Sequence, residues 1–463
     1  MHIVIVVPGI MGTELLLPTP DGIEKVWPPT PLETQLGYKR TQKLASAEVK
    51  PGGIITRVAC FDFYQPLLDL LTGLGFTADG AAKRQIEFPY DWRRDLFDLA
   101  DDLGELIAHE VAKGATRVSL VAHSMGGLIS RLLLEDPRFR TEPWFGLIDQ
   151  LIAIATPHLG APLALGRVLG QDSAMGISGA DFAWLASREE YPSAYQLLPA
   201  PGEGSCWDQS DQTDPPLAPI DIYDAAGIAL LKLNTRLIAR AQAVHAVLGA
   251  GNQPDKVRYF YFSGTGHRTV TRINIVRKAG GDLDLGETVL TRTEDGGDGT
   301  VPLYSALPRP GQRAIVTNEH ATAFKGVAFR RTFVRLLGGN EGPAVEAGLG
   351  QLAMSVESPM IAADQSVELL IYPDGPEEMP ASIEQLSGDL VLVRVLQEEK
   401  AKAQDVRRVP LHYEGPALSR LRLYLDPIGE PGHYEVRLEN GDYRASTAFS
   451  VCAPLPTADG TAQ

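Results

Sequence analysis

The sequence predicts an α/β fold: a mostly parallel central sheet with helices on both faces, roofed by a cap and followed by a C-terminal all-β, sandwich-like domain. Three observations predict it. Strand-like and helix-like periods alternate from residue 1 to about 340, the pattern of parallel strands joined by crossover helices. The period is lost between about 165 and 225, where Gly, Ser, Pro, Asp and aromatic residues mix; a structureless loop of that length is improbable in a compact domain, so the segment reads as a lid. After about 345 short alternating runs dominate, as in an antiparallel sandwich.

Taken in order, residues 2–7 (HIVIVV) form a β-branched strand, and 54–60 reads as a second. Residues 63–74 carry apolar side chains at helical spacing behind Asp62 as N-cap. A short strand at 85–88 precedes a long amphipathic helix over 92–113, with Leu96, Leu99, Leu103, Leu106, Ile107 and Val111 along one face. Residues 117–121 are strand, 126–134 helix and 148–155 strand. A helix returns over 225–249 and a strand over 257–262. Residues 270–276 and 288–293 read as the arms of a hairpin, then 314–317 as strand and 321–337 as helix. The sandwich strands are expected at 367–372, 389–396, 421–425, 434–438 and 446–451, separated by turns such as 427–432 and 440–441. The expected division is residues 1–345 with the cap at about 165–225, an accessory β domain over 350–455, and a tail over 456–463.

A chain of 463 residues suits one large domain and a smaller one. With 44% apolar and 22% charged residues it has material for a full core, which excludes extensive disorder. No stretch approaches the roughly 18–20 apolar residues of a membrane-spanning helix. The net charge of −16, with no run of Lys or Arg, opposes binding to phosphate backbones and anionic bilayers, so nucleic acid is not an expected partner. An apolar lipid-binding mouth is compatible with it. Cys60, Cys206 and Cys452 are widely spaced and make neither a disulfide framework nor a CxxC metal site. Neither a metal nor a cofactor is expected. Met1 runs straight into HIVIVVPG, with no basic n-region and no small-residue cleavage site, so this start reads as a first strand and the protein as cytoplasmic.

The strongest chemical signal is SLVAHSMGG, residues 119–127. A strand ends at Val121, Ser124 follows, and a helix begins at Gly126. A nucleophilic serine needs a turn sharp enough to lift its hydroxyl beyond the sheet, and the small residues Ala122 and Gly126 permit one. The helix start also offers N–H groups and partial positive charge to an oxyanion. Such a serine needs a base, and the base an orienting carboxylate; in α/β-hydrolase order the acid comes next and the histidine last. Of nine histidines, His320 in TNEHAT sits between strand and helix, as a loop-borne base should. His123 lies on the elbow, where its side chain should point away from Oγ, and His158 reads as a packing or supporting position. For the acid, EDGGDGTVP offers Glu294, Asp295 and Asp298; the choice is Asp298, with Asp295 the fallback. Glycines at 9 and 12 in PGIMG let the first strand's end bend around an oxygen-sized site, so the N–H of Ile10 can pair with that of Met125 as an oxyanion hole. Trp92 and Arg93 most simply pack and cap a helix start; the alternative for Arg93 is a local pair with Asp91.

Seven segments in order, VPGIMGTEL (7–15), FPYDWR (88–93), VAHSMGG (121–127), ATPHLGAP (155–162), PSAYQLLP (192–199), GDGTVP (297–302) and NEH (318–320), make the chain resemble the lecithin:cholesterol acyltransferase-like branch of the α/β-hydrolases. That branch includes lysosomal phospholipases and phospholipid:diacylglycerol acyltransferases. The resemblance covers about residues 1–340. It implies Ser124 as nucleophile, Asp298 as acid, His320 as base, amides of Ile10 and Met125 as oxyanion donors, and residues 165–225 as the lid and acyl-binding cap. Residues 19–53 are short and polar where eukaryotic members carry a membrane-binding insertion.

The expected activity is therefore that of a serine carboxylester hydrolase of lipase or phospholipase A type, acting on a lipid or acyl-ester substrate. Transfer of the acyl group to an alcohol is the alternative within enzymes. A vestigial hydrolase serving as an adaptor is the alternative outside them. The C-terminal β domain is expected to serve docking to a protein partner, self-association or substrate presentation.

Overall fold

Six strands make the central sheet of the computed structural model, which describes residues 1–58, 61–210, 217–307, 312–316, 319–339, 352–374, 382–395, 404–440 and 443–453. They are β1 (His2–Val7), β2 (Lys83–Glu87), β3 (Arg117–His123), β4 (Ile148–Ile154), β5 (Arg258–Gly264) and β6 (Gln312–Val316). Their order is β6-β5-β4-β3-β1-β2, and every neighbouring pair is parallel. Successive side chains of a strand point to opposite faces, and β1 shows the result. Ile3, Ile5 and Val7 join one core with Leu99, Leu103, Ile129 and Leu132 of the helices Leu96–Ala112 and Met125–Glu135. Val4 and Val6 join another with Leu67, Leu71, Phe329 and Phe333 of the helices Gln65–Gly73 and Val327–Leu336. Helices thus cover both faces, which is why β1 and β3 read as nearly continuous apolar runs.

Several element ends differ from expectation for identifiable reasons. The long helix starts at Leu96, where the Asp95 side chain accepts from Phe97 N, four residues later than the apolar spacing suggests. Arg93 is instead drawn inward: its guanidinium pairs with Asp91 at 2.6 Å and lies 4.3 Å from the Tyr191 ring centroid. The next helix toward the N-terminus starts after Tyr64, and Asp62 pairs with Arg57 rather than capping it. The segment 225–249 is two helices, Ala225–Leu231 and Thr235–Gly249, divided where Lys232 is left-handed and Asn234 caps Arg236 and Leu237. The expected strand over 54–60 is replaced by Lys50–Ile54 and the two residues Arg57–Val58; 59–60 lie outside the described residues. The expected helix over 321–337 is a 3-10 turn, His320–Thr322, followed after Gly326 by Val327–Leu336.

Residues 165–225 contribute the helices Gly179–Ala186 and Ser193–Gln196, preceded by Pro162–Val168. They do not form the cap alone. The strand Cys206–Asp208 pairs with the hairpin His267–Arg277/Leu283–Gly297, so the hairpin belongs to the same layer. Leu165, Leu198, Ile222, Leu231, Val270 and Ile273 pack there as one core.

The C-terminal region is a β-sandwich. A three-stranded sheet (Leu352–Val356, Val367–Pro373, Leu421–Leu425) faces a five-stranded one built on Ile383–Arg394, Gly432–Asn440 and Tyr443–Cys452. Leu369, Ile371, Leu392, Val436 and Phe449 fill the space between them. The strands Met360–Ala362 and Gln404–Leu418 complete the second sheet; neither was expected. The tail over 456–463 and the 440–441 turn fall wholly or partly outside the described residues.

Candidate active site

The site forms at the C-terminal ends of β1 and β3, where the strand order reverses, the usual crevice for ligands in an open α/β sheet. Ser124 stands between β3 and the helix Met125–Glu135 with φ 51° and ψ −124°, a conformation that L-residues rarely adopt and that marks a tight bend. Three glycines make room for it. A Cβ at Gly126 would lie 2.4 Å from the carbonyl oxygens of Val7 and Pro8, one at Gly127 1.9 Å from Thr156 Oγ1, and one at Gly9 2.8 Å from Ser124 Cβ. Ser124 N donates to the Ile154 carbonyl at 2.8 Å, which ties the bend to β4.

Across this bend lies His320. Its Nε2 is 3.0 Å from Ser124 Oγ and its Nδ1 2.8 Å from Asp298 Oδ2. The other oxygen of Asp298 accepts from Thr300 N at 3.0 Å and Val301 N at 2.7 Å, and its carbonyl accepts from His320 N at 2.9 Å. The carboxylate is thus aimed by its own loop and fully buried, while Ser124 is 5% exposed. Burial by itself would lower the His320 pKa; the charge of Asp298 and its hydrogen bond outweigh that, and the pKa lies above its usual 6.5. The other candidate acids are engaged elsewhere: Asp295 pairs with Arg420, and Glu294 with Arg268 and Arg422.

Ile10 follows Gly9 in a turn closed by Gly12 N donating to Gly9 O at 3.1 Å. It lines the same cavity as Ser124 and His320. Met125 is the first residue of its helix and fully buried; the N–H at that position lies outside the intrahelical ladder. Both expected donors therefore flank the serine. His158 is buried beside Arg131, 3.2 Å from its guanidinium.

The cavity has a volume of about 1400 Å³. Cap residues Leu163, Phe182 and Leu197 line one side, and Met354, Val356 and Ile361 of the C-terminal sandwich line another. The sandwich also grips the hairpin that leads to Asp298: Arg420 holds Asp295 and Arg422 holds Glu294 on one arm, and Glu357 accepts from Arg268 N on the other. Sequence reasoning missed these contacts, since nothing in an isolated Arg or Glu of a strand tells which loop it will face. It also missed Tyr64, whose hydroxyl lies 2.8 Å from His123 Nδ1. Among the described residues no group of three or more His, Cys, Asp or Glu side chains can hold a metal ion, and no helix is long and apolar enough to cross a membrane.

The fold is that of the α/β-hydrolase class. A family model described as lecithin:cholesterol acyltransferase matches residues 53–214, so the resemblance read from the motifs holds over the elbow and much of the cap. The chain is similar to the crystal structure of the Tle4-Tli4 complex, with TM-score 0.53 and 14% identity over 73% of this chain and 97% of that one; at that identity the likeness shows the fold. A weaker likeness is to Bacillus licheniformis lipase BlEst2 in mature form, with TM-score 0.33 and 15% identity over 72% of this chain and 91% of that one. No curated protein matches in sequence. The family match supports an esterase-type enzyme, a lipid ester hydrolase or acyltransferase in the general sense.

Proposed function

We propose that the protein is a serine carboxylester hydrolase of lipase or phospholipase A type, working through an acyl-serine on acyl-lipid-like esters. One observation carries the proposal: the unbroken hydrogen-bonded chain Asp298–His320–Ser124 bordering a cavity with apolar walls. His320 Nε2 takes the Ser124 hydroxyl proton as Oγ attacks the ester carbonyl, and Asp298 stabilises the imidazolium that forms. Amides of Ile10 and Met125 receive the tetrahedral oxyanion, with each such donor typically worth about 3–4 kcal/mol. Collapse breaks the C–O bond, His320 protonates the departing alcohol, and the acyl group stays on Ser124. Water, deprotonated by His320, then attacks the acyl-serine, and a second collapse restores the hydroxyl and releases the carboxylic acid.

The family match and the two-sided cavity favour one further reading, in which an alcohol replaces water in the second step. The sandwich, on either reading, shapes the substrate site; docking of a protein partner or self-association through its outer face remains part of the proposal. The test is labelling with a fluorophosphonate, with Ser124→Ala as control, followed by product analysis on phospholipids, neutral lipids and short esters. Free fatty acid alone supports hydrolysis, and a new ester on addition of alcohol supports transfer. An unreactive Ser124 in folded protein defeats both and revives the adaptor reading.

A further inference from the structure

Three hydrogen bonds, two buried and one partly buried, tie the Gly9 loop and Tyr64 to the elbow and the base that the triad joins. Gly9 N–H donates to the Tyr64 hydroxyl oxygen at 2.7 Å, that oxygen lies 2.8 Å from His123 Nδ1, and His123 Nε2 lies 3.0 Å from the carbonyl oxygen of His320. Their hydrogens have a single consistent arrangement. A carbonyl only accepts, so His123 Nε2 carries the hydrogen, and Nδ1 of the neutral ring is then a lone pair. Tyr64 must donate to that lone pair while its oxygen accepts from Gly9. Burial first, and the charge of His320 after it, push the His123 pKa down to about 3, and burial pushes the Tyr64 hydroxyl up. Neither group changes charge near neutral pH. The rings are held as well: Tyr64 stacks on Phe324 at 5.6 Å between centroids, and His123 meets the same ring edge-on at 5.6 Å.

Each link ends on, or one residue from, a group with a role in the proposed chemistry. Gly9 precedes Ile10, His123 precedes Ser124, and the last acceptor is the backbone of His320. We infer that Tyr64 and His123 are positioning residues, which set the oxyanion loop, the nucleophile and the base in register through the chain Gly9–Tyr64–His123–His320. The inference rests on the serine hydrolase reading for its meaning in catalysis. Its geometric part is independent of that reading: a ring with no role in proton transfer holds the base by its main chain.

The experiment compares Tyr64→Phe and His123→Phe with His123→Gln and His123→Asn. A Gln side chain places its amide near the position of Nε2 and keeps the bond to the His320 carbonyl; Asn reaches only the position of Nδ1. On a short soluble ester, Tyr64→Phe and His123→Phe are expected to lose about 10- to 100-fold in kcat, the scale of a slight misplacement of reacting groups, with KM within about twofold. Fluorophosphonate labelling should slow in parallel. His123→Gln keeps the bond to the His320 carbonyl and loses the one from Tyr64, and His123→Asn does the reverse, so each should recover part of the loss. Wild-type kcat in folded His123→Phe and Tyr64→Phe overturns the inference, as do Gln and Asn variants that both do no better than Phe. Where His123→Phe fails to fold, Tyr64→Phe, which removes one oxygen, decides. If the wild-type protein neither labels nor turns over, the hydrolase reading falls while NMR titration of the His320 ring still tests the chain. A midpoint moved by about half a unit in Tyr64→Phe supports it, and an unmoved one overturns it.

Discussion

Asp298→Asn is the most discriminating perturbation of the proposed triad. The substituted side chain can still accept the Thr300 and Val301 N–H groups through its oxygen, at the 3.0 and 2.7 Å that Asp298 Oδ1 now shows, so the loop keeps its shape. Its amide then occupies the position of Oδ2, 2.8 Å from His320 Nδ1. An amide donates there, so Nδ1 must become the lone pair and the ring hydrogen moves to Nε2, facing Ser124 Oγ at 3.0 Å. The base is left correctly placed with its proton on the wrong nitrogen. In serine hydrolases that error costs about 10⁴ in kcat, or about 5–6 kcal/mol of transition-state stabilisation. The assay is kcat on a short chromogenic ester, with circular dichroism and the thermal midpoint confirming the fold. Asp295→Asn is the comparison, because Asp295 pairs with Arg420 rather than with the imidazole; its kcat should fall by less than about tenfold. Asp298→Asn retaining more than about a tenth of wild-type kcat, or Asp295→Asn losing more, refutes the assignment of the acid.

Four other outcomes follow from the structure. Because the His320 pKa is raised above 6.5 and only the neutral ring accepts the serine proton, kcat/KM should climb with pH to a plateau, with its midpoint above 6.5 in a pH–rate profile; the same raised pKa adds stability that is fully present below the unfolded value and lost as pH rises through the folded one. Gly127→Ala would put a methyl 1.9 Å from Thr156 Oγ1, and the displacement should cost about 1–3 kcal/mol, measured as a lowered thermal midpoint. Arg131→Met strands the fully buried Glu135 carboxylate, now 2.7 Å from the guanidinium, and should cost about 3–5 kcal/mol in urea unfolding. Arg420→Ala combined with Arg422→Ala removes the sandwich's hold on the hairpin arm that leads to Asp298; partly exposed pairs are worth at most about 1 kcal/mol each, so kcat should fall by up to about tenfold, and no change at all would limit the sandwich to lining the cavity.

The parts of the site that chemistry constrains most were the most legible. A raised serine hydroxyl demands small neighbours, and Ala122 and Gly126 announce it without any knowledge of the partners. His320 and Asp298 were legible through chain order and through glycines around a carboxylate. The parallel sheet was legible because a strand covered on both faces is apolar at nearly every position, as in HIVIVV of β1. Three features resisted for physical reasons. Trp92 and Arg93 extend the apolar spacing of the following helix, and only the buried Asp91–Arg93 pair reveals that they turn inward. Lys232 interrupts a helix from a left-handed conformation that neither Gly nor Pro advertises, although Asn234 was a readable cap. The strand Gln404–Leu418 alternates only over Val409, Leu411 and Tyr413, which pack half-buried on the sandwich core, and is exposed along most of its length; Pro410, Gly415 and Pro416 within it read as strand breakers. Contacts such as His123 to the His320 carbonyl, 197 positions apart, belong to the fold and have no local trace.

The distribution of the triad along the chain has a consequence for biosynthesis. Ser124 is polymerised nearly two hundred residues before His320, its partner at 3.0 Å, and the strands that carry Arg420 and Arg422 come later still. A growing polypeptide that has already folded its elbow therefore holds an inert alcohol, because the imidazole that would activate it has not left the ribosome. On the proposed mechanism, reactivity toward esters waits for residue 320, about two thirds of the way along the chain, so a truncated product ending before it would contain the nucleophile without the means to use it.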